Sequence, residues 1–538
     1  MKITFTLLIS LAILFKIQAQ QTFQQIIYKT DASKGYTGGN IAPALDGGFI
    51  FCGNDNINGY NITNLCKFNN SGTLEWMRAI SKRLMDNPHA VQMADGSIFV
   101  GGSWSANKLD LIKTDALGNT VWAKSYTINT FTSFNAVSNI IRSADGSIVI
   151  LSYDSDLGIG ITKIDAATGA VIIDRHYITF LHMLANNIYQ TKDNGFVLVG
   201  NNGILKTDAN LNVQWCKTIH THTAVGNVII RSEAVTESQD GGFVIAGSNW
   251  NASQIYNTGH LIKLDGTGNA VWHKQFSSNL DNYFYDITKN QDSSFTVVGS
   301  SNSPFGISPP YSYGSILNVS NDATLRWSNF ISGQKPTVFK SVIKSVGKTS
   351  IAVGTTTSFG RGKGAFFISQ FTNKGITCAN KQSSAYTVTN MTDSIVNQSI
   401  NSVKNYTAQM IVEDIDPSLT VNTPVIPIVQ STCLTTTAAK DFSVERIIEK
   451  NANVFNAIIS PNPVAGNSIQ LEINAPSAQN MQLMIINTEG VIIMQSNIAI
   501  SAGKNNKKLD ISKLFNGAYF LKLQGTKDQK VIQFIKAN

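Results

Sequence analysis

The stretch Gln239–Gly247 reads QDGGFVIAG, a polar Asp-Gly turn running straight into apolar and β-branched residues. That order marks a hairpin turn feeding a buried strand, because Asp bonds the turn backbone and Gly accepts positive φ. Near-copies are DGGFIFCG from Asp46, DGSIFVGG from Asp95, DGSIVILS from Asp145, DNGFVLVG from Asp193, DSSFTVVG from Asp292 and KTSIAVG from Lys348. Seven copies at a spacing of about fifty residues are a structural repeat.

A second motif trails the first six copies: KFNNSGTLEW ending at Trp76, KTDALGNTVW at Trp122, KIDAATGAVI near Ile173, KTDANLNVQW at Trp215, KLDGTGNAVW at Trp272 and NVSNDATLRW at Trp327. Each holds a polar turn inside a β-branched context, so one unit resolves into four strands. In the third unit these are predicted at 137–143, 147–153, 160–164 and 170–177. Four short strands per repeat of this length is the unit of a β-propeller. The expectation is an all-β chain with a seven-bladed β-propeller over residues 20–379, followed by a small C-terminal β-sandwich. The seventh repeat lacks a fourth strand, and TFQQIIYK at Thr22–Lys29 is expected to supply it and close the ring. An eighth, degenerate blade within 383–430 remains open.

The Lys-x-Asp-x-x-Gly-x-x-x-Trp pattern resembles the repeats of bacterial propellers related to pyrroloquinoline-quinone enzymes. The resemblance covers about residues 22–378 and implies a fold in which the tryptophan docks neighbouring blades. It does not bring the cofactor with it, and none is expected.

Residues 1–20 read MKITFTLLISLAILFKIQAQ, with Lys2 before an apolar run from Ile3 to Phe15 and a small-residue site at Ala19, so 1–19 are read as a signal peptide. No later run is long enough to span a bilayer as a helix, and the mature chain is expected to carry no transmembrane helix. The net charge is +8, but the leader lysines and a tail with eight lysines against four acids account for most of it. The nearly neutral body argues against nucleic acid as a partner. Five cysteines, at 52, 66, 216, 378 and 433, cannot all pair internally. Cys52 and Cys66 flank one hairpin, as cross-strand neighbours or as two buried thiols.

Residues 380–454 are Ser, Thr and Asn rich and lose the period, which reads as irregular strands and a connection. Residues 455–538 then alternate, with strands predicted at 468–473, 481–487, 491–495, 507–511, 518–523 and 530–535. This tail resembles the type A C-terminal sorting domain of cargo exported by the type IX secretion system of Bacteroidetes. The matching residues are Pro461, Asn462 and Pro463, the Gly490 turn, the run Gly517 to Leu521 with Tyr519, and Lys536; Ser460 departs from an often aromatic position. The resemblance implies the outer-membrane secretion machinery as partner and the cell surface or extracellular space as destination.

Motifs for hydrolysis or metal catalysis, HExxH and GxSxG, do not occur. SFGRGKGAFF from Ser358 lacks phosphate-loop spacing. His220 and His222 without a third ligand, NDNING from Asn54 without a distal acid, and Glu413, Asp414 and Asp416 each read as loop or turn rather than metal site. The remaining signal is aromatic: Tyr60, Trp104, Trp250, Tyr256, Phe305, Tyr311 and Tyr313 stand among Asn and Ser on the connections opposite the tight turns. Such side chains suit stacking on sugars or a protein interface. The reading is a non-enzymatic surface or secreted protein that binds a glycan or protein. A propeller enzyme acting on polysaccharide or using a quinone is the second reading, and a structural surface spacer the third.

Overall fold

The computed structural model describes residues 22–431 and 455–536, apart from short stretches between strands, among them 29–33, 129–134, 251–255, 304–311, 359–363 and 461–463. The leader, Cys378 and Cys433 lie outside the described residues. The chain divides into two units, Met1–Thr437 and Ala438–Asn538. All regular structure among the described residues is strand, paired antiparallel throughout the sheets.

In the first unit, four-stranded meanders follow one another over 34–81, 86–128, 135–179, 185–223, 226–277 and 281–331. The third illustrates the sequence reading: its strands are Asn135–Arg142, Ile148–Asp154, Gly158–Ile164 and Val171–Thr179, each within two residues of expectation at either end. The seventh meander has Thr337–Lys344, Thr349–Thr356 and Ala365–Thr372, and its fourth strand is Gln24–Tyr28, paired to Ala365–Thr372 with Ile26 opposite Phe367. The N-terminal segment therefore completes the last sheet, as its orphan apolar pattern required. Each first strand lies against the first strand of the next meander, and Lys34–Pro43 also lies against the first two strands of the seventh.

Facing sheets share apolar cores. Val149, Leu151, Ile159 and Ile161 of the third meander pack with Phe196, Leu198 and Leu205 of the fourth, all fully buried. Burial of this kind contributes about 25 cal/mol per Å2 of apolar surface, which explains why the second strands are continuous apolar runs.

Two features of the repeat motif acquire physical reasons. The lysine opening the second motif is buried and bonds the aspartate of the preceding tight turn: Lys67 to Asp46 at 2.6 Å, Lys163 to Asp145 at 2.5 Å, Lys206 to Asp193 at 2.9 Å, and Lys263 to Asp240. Lys67 and Lys206 also donate to the carbonyls of Phe68 and Thr207, so one ammonium joins both turns of its sheet. The tryptophans reach the neighbouring meander. Trp76 sits so close to Gly118 that a Cβ there would lie 2.8 Å from the ring, Trp272 Nε1 donates to Asn321 O at 3.1 Å, and Trp327 Nε1 to Asn373 O at 2.7 Å. At the seam between the seventh and first meanders, Phe23 takes this place, packing on Gly72.

The Ser/Thr/Asn-rich stretch departs from expectation. Its described residues build no eighth sheet; they supply one outer strand to each meander, visiting them in reverse order. Lys381–Ser383 pairs with the sixth meander, Thr387–Asn390 the fifth, Asp393–Asn397 the fourth, Ile400–Asn405 the third, Met410–Asp414 the second and Thr420–Pro424 the first. Ile428–Ser431 then pairs with Gln24–Tyr28. Its polar composition fits its place, since one face of an outermost strand meets water. Glu413 and Asp414 are held there by Lys108 at 3.1 Å and Lys124 at 2.8 Å, so the salt bridges to the second meander engage the acids weighed above as calcium ligands; Asp416 lies outside the described residues.

The second unit has two sheets across one core. One contains Asn456–Ser460, Ser468–Ala475 and Gly503–Asp510; the other contains Ile492–Ile500, Gln479–Asn487, Gly517–Gln524 and Gln529–Lys536 in that order. Ile469, Leu471 and Ile473 alternate inward from the first, and Leu483, Ile485, Leu521, Leu523 and Phe534 fill from the second.

Candidate functional site

The first strands of the meanders share an irregularity that the sequence did not announce. Opposite the end of each second strand the register slips by one residue: between Val137 and Asn139, Ala185 and Asn187, Ser232 and Ala234, Phe284 and Asp286, and Phe339 and Ser341. Such a bulge re-aims side chains and increases local twist. It also explains the glycine closing the first motif: a Cβ on Gly200, Gly299 or Gly354 would lie 1.8 Å from the carbonyl oxygen of Leu184, Tyr283 or Val338.

The inserted residues are Ser138 and Asn186 in the third and fourth meanders, but Glu233, Tyr285 and Lys340 in the fifth, sixth and seventh. These last three converge. Arg231 Nε bonds Glu233 Oε1 at 2.5 Å, with the arginine side chain 62% exposed and the glutamate 12%. Lys340 Nζ stands 3.6 Å from the centre of the Tyr285 ring, and Tyr283 and Tyr285 lie parallel with centroids 6.3 Å apart. Burial raises the Glu233 pKa against the pull of Arg231 and Lys340, lowers that of Lys340 against the pull of Glu233, and raises that of Tyr285. Below them Asp286 accepts from Ser341 Oγ and the backbone N–H of Val342, both at 2.8 Å, and from Ile287 N–H. Burial pushes its pKa to about 6 in spite of these bonds.

The aromatic residues expected on exposed connections divide. Tyr60 opens the strand Tyr60–Phe68 opposite Ile57, Trp104 lies in Ile98–Ser105, and Trp250 ends Phe243–Trp250 opposite Ile229. These three occupy strand ends; two residues separate Ile57 from Tyr60 and Ser105 from Lys108, so in the first two meanders the strands run on into the connection. Phe305 and Tyr311 lie outside the described residues. Tyr313 is in the strand Ser312–Val319 and stacks on Phe330 at 5.4 Å. Tyr256 is half-buried and precedes Asn257, whose Nδ2 donates to Tyr283 Oη at 2.7 Å, so its strand entry lies next to the cluster.

Among the described residues no group of three His, Cys, Asp or Glu is placed to hold a metal. His220 and His222 lie in the strand Val213–Thr223 rather than a loop. Asn54 likewise belongs to a strand and not a turn: its Nδ2 donates to Met85 O and its Oδ1 accepts from Thr63. Cys52 and Cys66 are buried and not joined in a disulfide. Their registers pair Cys52 with Leu65 and Phe51 with Cys66, so successive alternation sends them to opposite faces.

In the second unit Tyr519, Leu521 and Lys536 of the sorting pattern are buried, whereas Phe520 alternates to the other face of its strand; Pro461, Asn462, Pro463 and Gly490 lie outside the described residues. Lys536 is buried, its Nζ donating to the carbonyls of Ile511 and Leu514, each at 2.8 Å. Tyr519 stacks on Phe534 and its hydroxyl donates to Phe515 O at 3.0 Å. Gly517 opens the strand between them. Together these residues pin the turn 511–516.

Residues 459–537 match the family described as secretion system C-terminal sorting domain. No curated protein matches the sequence. Among solved structures, a protein of unknown function from Dyadobacter fermentans aligns at 9% identity over 65% of this chain and 98% of its own, with a TM-score of 0.38. Another of unknown function from Bacteroides caccae aligns at 9% identity over 57% and 93%, at 0.31. The NanB sialidase of Streptococcus pneumoniae aligns at 10% identity over 64% and 70%, at 0.36. At such TM-scores these likenesses carry no argument. The tail marks the chain as type IX secretion cargo, sorted for export to the cell surface or the extracellular space.

Proposed function

We propose that the exported chain is a recognition protein whose first unit is a seven-bladed propeller of the quinone-enzyme repeat type, without the cofactor, and that it binds a carboxylate-bearing glycan at the cluster of Arg231, Glu233, Tyr285 and Lys340. The observation that carries this reading is the convergence of these groups on three neighbouring bulges. Glu233 occupies Nε of Arg231, which orients the terminal nitrogens of the guanidinium as a fork of the geometry that recognises carboxylates. Lys340 adds a second cation, held over Tyr285, and the parallel tyrosines add flat surface for a sugar ring. Glu233 is engaged as the holder of an arginine, which favours recognition over acid catalysis.

The test is binding of the purified chain to polygalacturonate and sialylated glycans beside neutral polysaccharides. Saturable binding to the acidic set, weakened about tenfold or more by Arg231→Ala and by Lys340→Met, is expected. Equal binding to neutral polymers, or no effect of either substitution, refutes the assignment. Trp250→Ala, measured alongside, reports whether the neighbouring strand end belongs to the rim.

A further inference from the structure

We infer that the secretion machinery reads the sorting domain through an apolar patch at one end of its four-stranded sheet, with Phe515 as the anchor. This rests on the sorting role of the unit. Two residues of the sorting pattern are spent internally: Lys536 and Tyr519 fasten the turn 511–516 from beneath. What that turn holds outward is Phe515, 86% exposed. A large apolar side chain presented on a turn fixed by three side-chain bonds is costly to leave in water and loses little freedom on docking, the two properties of an interface anchor.

The same end of the sheet carries more apolar surface. Register places Ile486 opposite Phe520 and Ile535 opposite Ala518, and the edge strand brings Ile492 opposite Ile486. Ile535, Ile492 and Ile493 are each between two-fifths and one-half exposed. Isolated exposed residues of this kind are ordinary, but several gathered at one sheet end beside a projecting phenylalanine mark an interaction site. Two cations stand by it: Lys513 is exposed on the same turn, and Lys522 lies two residues beyond Phe520 on its strand. The occupant is therefore an apolar cleft with an acidic rim on the outer-membrane machinery, which meets this unit once per exported chain.

The experiment follows full-length chains in a secreting cell, measuring surface or medium against periplasm, with thermal melts of each purified chain. Phe515→Ser and Ile492→Lys are expected to keep the melting profile and to leave about nine-tenths of the chain in the periplasm, a tenfold loss of export. Lys536→Met is the contrasting variant, expected to lower the melting of the second unit. Normal export of Phe515→Ser overturns the proposal, and so does a melting loss in Phe515→Ser as large as in Lys536→Met, because the side chain then acts in folding. A chain lacking 459–538 separates the underlying reading: if it is still exported, the sorting role itself fails.

Discussion

Asp286 is a carboxylate held by Ser341 Oγ and by the backbone N–H groups of Val342 and Ile287, and burial holds its pKa near 6. An acid whose folded pKa lies above its unfolded value binds protons on folding, so its contribution to stability is complete below about pH 4 and is lost as pH rises through about 6. The shift of roughly two pH units corresponds to about 3 kcal/mol. Asp286→Asn keeps an acceptor for Val342 N–H and is expected to melt higher than the parent above pH 7 and to lose the slope between pH 4 and 6; an unchanged slope would assign that proton uptake elsewhere. Legibility at this scale was poor for an identifiable reason. Aromatics were weighed by their polar neighbours in sequence, which picks out connections, and Tyr60, Trp104 and Trp250 proved to be strand ends. The groups that converge, Arg231, Glu233, Tyr285 and Lys340, sit inside apolar strands as RSEAV, FYDI and FKSV. Their signal was charge interrupting a buried strand at one point of three successive repeats, and only the bulge opposite a glycine makes sense of it.

At the scale of the element, the repeat motif was readable almost in full because hairpin chemistry is local. The Asp-Gly turns, the four strands per unit and the alternation Ser468–Ala475 follow from turn residues and period. What was not local was the purpose of the closing glycine and of the lysine. Gly299 stands where a Cβ would meet Tyr283 O at 1.8 Å, so neither backbone can relax without undoing the bulge. Gly299→Ala is expected to cost about 3 kcal/mol or more and to weaken the binding of the cluster beside it, read by denaturant melts together with glycan titration. A loss below about 1 kcal/mol would mean that the bulge is free to flatten.

For the whole molecule, the N-terminal strand was foreseen as the missing fourth strand of the last sheet, since TFQQIIYK has the pattern of one. The outer strand on every sheet was not, because Ser, Thr and Asn in short runs give no period, and such strands are defined by the edges they cover rather than by their own sequence. Removing 381–431 uncovers those edges and frees Gln24–Tyr28 on one side. The shortened chain is expected to melt lower and to self-associate with rising concentration in sedimentation measurements; a monomer with the parental melt would show that the strands add nothing. Their reverse order has a mechanical meaning as well. Tension entering from the C-terminal end of the first unit reaches Ile428–Ser431 first, then Thr420–Pro424, and so on back to Lys381–Ser383. Each strand is short and comes away separately, and the whole stretch pays out roughly 170 Å at full extension. With the chain held at the surface from its C-terminal side and a ligand bound at the proposed cluster, this stretch would act as a sacrificial tether, lengthening one stitch at a time before force arrives at the strands that carry Arg231 and Lys340.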